Sequence, residues 1–175
     1  VTNGFSQERF LRKAKSAIID RDRVRANEMV MNYESKEGSR PESFFVRHLI
    51  NLSFGSTIEE MDECWIYLVN AINKYYLVPE KDKKDWCEDL DFCESRFLYY
   101  IDLTDSLLFE TYKRPNDFNT ISKFLLKYNE SKRKSEALVF KSYLAYQISI
   151  SINSEQGYLD YLKEYSSFVY ADSVR

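Results

Sequence analysis

Four glycines, three prolines and one histidine are scarce holdings for a chain of 175 residues. A β-sandwich or barrel needs a turn signal about every 8 to 12 residues, so the shortage argues for helices. The glycines stand apart at positions 4, 38, 55 and 157, and neither G-x-G-x-x-G nor G-x-x-x-x-G-K-[ST] occurs, which removes most phosphate-cradling enzymes. H-E-x-x-H and G-x-S-x-G are missing too. No apolar run approaches the roughly 18 residues of a membrane span, and the opening VTNGFSQERF has neither the basic nor the apolar region of a signal peptide. A soluble chain that does not enter a membrane is expected. Three scattered cysteines, an odd number, fit a reducing compartment, so the expected location is cytoplasmic.

A content of 44% hydrophobic and 30% charged residues is that of a globular protein, and the length suits a single domain over 1–175. Phe5, Ser6 and Phe10 read as the stapled and capped start of a first helix, with Ala14, Ala17 and Ile18 facing inward. A second helix buries Val24, Met29, Val30 and Tyr33 and stops at Gly38; a third opens at Pro41 and runs to about Ser53. Ser56 and Glu59 form a capping box for a fourth, striped by Ile58, Met61, Trp65, Leu68 and Ile72, which must end before Pro79. Residues 85–115 read as one helix, or as two meeting near Thr104. NDFNTISKFLLKYN, SEALVFKSYLAYQISISI and SEQGYLDYLKEYSSFVY supply the rest, the last capped by Ser154. YQISISI alternates like a strand, but no second strand is present to pair with it. The fold expected is all-α, with about seven to nine helices in an irregular antiparallel bundle or a short, tetratricopeptide-like array of helical hairpins.

DWCEDLDFCESRF, residues 85–97, sets two cysteines among five carboxylates. On a continuous helix Cys87 and Cys93 lie about 120° apart around the axis and roughly 9 Å apart along it, too far for a disulfide. Trp86, Leu90, Cys93, Phe97 and Ile101 make one apolar stripe, while Glu88, Asp91 and Glu94 recur every three residues on another face. That face reads first as a solvated acidic face, with a partner-binding patch or a divalent cation as alternatives, and no metal site is assigned to it.

Charge comes in blocks. By segment the net values are +4 for 1–25, −4 for 26–79, −6 for 80–110, +5 for 111–141 and −2 for 142–175. The basic blocks 9–25 and 113–134 are the basis of an alternative reading as a nucleic-acid-binding protein, through Arg9, Arg12, Lys13, Arg21, Arg23 and Arg25 or through Lys123, Lys127, Lys132, Arg133 and Lys134. The pI near 5.4 and the absence of a recognition motif favour solvated helix faces, drawn to the acidic middle within the fold. A helical metal-carboxylate enzyme is a further alternative.

His48 sits in FFVRHLINL, where a structural role outweighs a catalytic pairing with Cys64, Cys87 or Cys93. No catalytic residue and no cofactor is assigned. The richest feature is aromatic, 14 Tyr and 12 Phe. Tyr158, Tyr161, Tyr165 and Phe168 form a stripe beside Leu159, Leu162 and Val169, a face wider than one neighbouring helix needs, and Tyr143 and Tyr146 add to it. The function expected is a non-enzymatic protein–protein interaction module. Its surface combines Glu88, Asp91 and Glu94 with Tyr143, Tyr146, Tyr158, Tyr161 and Tyr165, and its partner is a protein with a basic surface. An immunity or inhibitor protein that neutralises a basic toxin or nuclease is the specific form of that reading.

Overall fold

The computed structural model describes residues 4–174, with side chains from Arg9 onward. Among the described residues there are nine α-helices, one short 3-10 turn and no strand, so the protein is all-α. In order they are α1 (Gly4–Ile19), α2 (Arg23–Glu37), α3 (Pro41–Phe54), α4 (Ile58–Tyr75), α5 (Glu80–Leu90), α6 (Glu94–Lys113), α7 (Phe118–Lys127), α8 (Lys134–Ile152) and α9 (Glu155–Tyr165), followed by the 3-10 turn Val169–Ser173. YQISISI completes α8 as helix. The chain forms two compact units, one through Leu108 and the other from Phe109, with the boundary inside α6.

In the first unit α1 pairs with α2 and α3 with α4, and α3 also packs on α1, α2 and α5. Its core is aromatic. Phe45 stacks on Phe92 with ring centroids 4.4 Å apart and meets Tyr100 edge-on at 5.0 Å, while Tyr75 meets Phe92 and Phe97 edge-on at 5.2 and 4.9 Å. Such pairs contribute about 0.5 to 1.5 kcal/mol each beyond the area they bury. Basic and acidic segments meet within the unit: Arg12 with Asp89 at 2.5 Å, Arg23 with Glu60 at 2.5 Å, and Arg47 on both oxygens of Glu34 at 2.9 and 2.5 Å. Part of the first basic block is thereby committed inside the fold.

The second unit packs α8 between α7 and α9, with the 3-10 turn against α8 and α9. Phe109, Tyr112, Phe124 and Tyr128 form one ring cluster, and Tyr161, Tyr165 and Ala171 form a second, flanked by Tyr146 and Tyr170.

Three local readings change. Residues 85–101 do not form one helix: Asp91 adopts a left-handed conformation at φ 61°, and the Phe92 amide donates back to the Trp86 carbonyl at 3.2 Å. The reversal ends α5 and drops Phe92, 0% exposed, into the core, which a continuous helix would forbid. It also brings the Cα atoms of Cys87 and Cys93 to 4.7 Å, and the two form a disulfide. The premise of unpaired cysteines behind the cytoplasmic reading fails for this pair. α6 then continues unbroken through Thr104, whose hydroxyl donates to the Tyr100 carbonyl at 2.6 Å. Finally, the capping box of α4 is Thr57 with Glu60, one residue later than Ser56 with Glu59. α1 begins at Gly4, so Ser6 lies inside it, and the Phe5 side chain falls outside the described ones.

Candidate functional site

α8 reads KSEALVFKSYLAYQISISI, with apolar residues on every side. An all-round apolar helix is at home fully enclosed. Here α7 and α9 cover part of it, burying Ala137, Ser142, Leu144 and Ser149, while Val139, Ile148 and Ile150 remain 51%, 46% and 42% exposed. The two buried serines satisfy themselves locally, each hydroxyl donating at 2.8 Å to a carbonyl three residues back.

Three concavities line this helix. The first, about 530 Å³, is walled by Phe109 and Lys113 of α6, Val139, Phe140 and Tyr143 of α8, and Tyr170, with Ser135 and Glu136 at one end. Lys113 lies 5.7 and 5.6 Å from the Phe109 and Phe140 ring centres, an ammonium laid over an aromatic floor. The second, about 510 Å³, is more polar, with Asn116, Asp117, Asn119, Gln147 and Ser151 beside Phe118, Tyr143 and Ile148. The third, about 240 Å³, lies between α8 and α9 and includes Ala145, Ile148 and Ile152 opposite Gly157, Asp160, Tyr161 and Glu164, with Phe118 alongside.

Carboxylates outnumber cations around them. Glu136 pairs with Arg133 at 3.1 Å, Asp160 accepts from Gln156 at 2.8 Å, and Glu164 accepts from the Tyr165 hydroxyl at 2.8 Å and from Lys141 at 3.5 Å. Asp117 caps α7, and the Thr120 hydroxyl and amide hold its carboxyl below the usual range. Burial, followed by the hydrogen bond to Glu164, pushes the Tyr165 hydroxyl far up.

The residues expected on the binding surface fall into both units. Glu88 is exposed on α5, 4.0 Å from Lys84. Asp91 is in the turn, accepting from Arg96 and from the Tyr100 hydroxyl at 3.1 Å each, and Glu94 in the first turn of α6 accepts from the Tyr76 hydroxyl at 3.1 Å. These three carboxylates share no helix face, because the helix that would have aligned them is broken at Asp91. Two of them tie the α5–α6 turn to its surroundings.

Among the tyrosines, Tyr143 lines the first two concavities. Tyr146 is half-buried against Tyr161 and Tyr170, and Tyr158 donates to the Asn153 side chain at 3.0 Å. Tyr161 and Tyr165 are 3% and 5% exposed and belong to the core, whereas Leu159 and Val169 of the companion stripe are 52% and 83% exposed. The two stripes are interchangeable in sequence, and the neighbouring helix takes the tyrosine one.

His48 and Cys64 do meet, with Nδ1 and Sγ 3.2 Å apart, and both are 0% exposed. Burial holds the imidazole down to about 4 and pushes the thiol up to about 12, so both are neutral at neutral pH and no thiolate–imidazolium pair forms. Among the described residues no three His, Cys, Asp or Glu side chains gather as a metal site would require.

Phe109, Val139, Phe140 and Tyr170 were not singled out in the sequence. The lack of a polar face on α8 is a signal that could have found Val139 and Phe140, while Phe109 of α6 and Tyr170 of the 3-10 turn are brought there by the fold. No family model, no curated protein and no solved structure matches the chain.

Proposed function

We propose that this chain is a protein–protein interaction module that holds a segment of a partner along α8, a segment in which apolar side chains are interspersed with lysine or arginine. The observation that carries this reading is continuity: Tyr143 is shared by the first and second concavities, and Phe118 and Ile148 by the second and third. With 19 residues, α8 is about 28 Å long. That accommodates about eight residues of extended chain or five turns of helix. Phe109, Val139, Phe140 and Tyr170 offer apolar area and aromatic anchoring sites, the composition from which interface hot spots are built. Glu136, Asp117, Asp160 and Glu164 line the path together with Lys113, while Arg133 and Lys141 reach Glu136 and Glu164 from outside the lining, and the excess of carboxylates in the lining itself favours a basic segment. An inhibitor that covers a basic enzyme is a special case of the same binding mode.

The test is a titration of ¹⁵N-labelled protein with a 12-residue peptide of alternating leucine and lysine, and with its leucine–glutamate counterpart. Saturable shifts at the amides of Phe118, Val139, Tyr143 and Ile148, produced by the lysine peptide and not by the glutamate one, are expected. Shifts confined to residues 88–94, or none, would overturn the reading.

A further inference from the structure

The inference that follows rests on α8 being a partner-binding face and names the part of the partner that enters its first concavity. We infer that this concavity receives the C-terminal residue of the partner's segment, with an apolar side chain between the aromatic walls and the terminal carboxylate on Lys113. At about 530 Å³ the space has the size of a pocket built for a ligand, and Phe109, Val139, Phe140, Tyr143 and Tyr170 give it the mostly apolar lining such pockets have. Among the described residues that line it, Lys113 is the one cation.

Lys113 is placed to meet an anion. Its ammonium lies over the Phe109 and Phe140 rings of the same lining, and Glu110, one turn earlier on α6, is 3.9 Å away, at the outer limit of ion pairing. Glu136, the carboxylate of the lining, is engaged by Arg133 at 3.1 Å. An occupant made of apolar side chains alone would strip water from the ammonium with only the distant Glu110 in return, and a desolvated charge is costly unless it is paired. A carboxylate on the occupant offsets that cost. In a segment of apolar and basic residues the one carboxylate is the chain's own end, and capture of such an end is an established mode of peptide recognition. Position agrees with charge. Ser135 and Glu136, at one end of the concavity, are the second and third residues of α8, so the path ends here, and the segment's basic residues run back toward Asp117, Asp160 and Glu164.

The probe is an N-acetylated peptide of about eight alternating lysine and leucine residues ending in leucine, the extended length of α8, made as the free acid and as the C-terminal amide. Each is titrated into the full ¹⁵N-labelled chain. Amidation raises the peptide's positive charge, so attraction to the acidic lining alone would favour the amide. The opposite order is expected, the acid binding about tenfold more tightly through one charge-assisted contact. Lys113→Met, which keeps the aliphatic stem over the rings, should bring the acid down to the affinity of the amide, and Lys113→Arg should retain the preference. A nitroxide on the peptide's N-terminus should broaden the Ile148 and Gly157 amides and spare that of Phe109. Equal binding of acid and amide, a preference that survives Lys113→Met, or broadening at Phe109 would overturn the assignment. The two readings fail separately. If both peptides move Val139 and Tyr143 equally, the α8 reading stands and only the terminal-residue assignment falls. If neither peptide binds, the α8 reading falls, and N-acetylphenylalanine against its amide decides the concavity by itself: shifts at Lys113 and Phe140 with the acid alone keep carboxylate recognition there, and any other pattern removes it.

Discussion

At His48 the ring is enclosed by Phe45 and Tyr100, with centroids 5.8 and 5.7 Å away, and by Cys64. The unfolded chain takes up a proton at the ordinary imidazole value of 6.5, which the folded chain refuses until about 4. Stability is therefore full above about pH 6.5 and falls as pH drops through this window, by up to about 3 kcal/mol. Glu60, held near 2 by the Ser56 amide and then by Arg23, acts in the same direction but only below its unfolded value of 4.5. Urea midpoints between about pH 7 and pH 5 should slope for the wild-type protein and flatten for His48→Leu. A slope that survives the substitution would assign it to other groups. The structural role of this histidine was legible from its apolar neighbours Phe44, Phe45 and Leu49. The contact with Cys64 was not, because nothing local relates residues 16 positions apart.

The α5–α6 junction shows what periodicity reads and what it misses. Trp86, Leu90 and Phe97 were recognised as buried, and they are 5%, 3% and 5% exposed. The break between them was missed, since an aspartate in left-handed geometry carries no pattern of its own, and burial of Phe92 decides the issue only in three dimensions. Closing so short a loop stabilises the fold by about 2 kcal/mol on chain-entropy grounds. Cys87→Ser with Cys93→Ser should therefore lower stability by about that amount. Denaturant melts with and without reductant check this: the wild type should lose the same increment on reduction and the double variant none. α8 is the converse case. Its strand-like ending is helical because the preceding turns are helical, and its missing polar face goes with the exposure of Val139, Ile148 and Ile150.

Among the described residues the helix count reaches the upper end of the expected range, yet the placement of the residues expected on the binding surface could not be read from order along the sequence. The unit through Leu108 holds 15 Lys and Arg against 20 Asp and Glu, net −5, and the unit from Phe109 holds 10 against 8, net +2. Acidic residues and surface tyrosines expected on one face therefore belong to different units. The first unit commits Arg12, Arg23 and Arg47 to its own carboxylates. The second carries the concavities along α8, whose walls come from α6, α7, α9 and the 3-10 turn. Contacts of this kind join segments about 10 to 60 residues apart, beyond the reach of helical periodicity.

The most direct measurement is photo-crosslinking in the source cells, with a benzophenone amino acid placed at Val139, in the groove, or at Glu88, in the acidic turn. The account predicts one dominant protein adduct through Val139, mapped on the partner to a segment mixing apolar and basic residues, and little through Glu88. Adducts through Glu88 alone, or adducts from Val139 to segments without that composition, would contradict it.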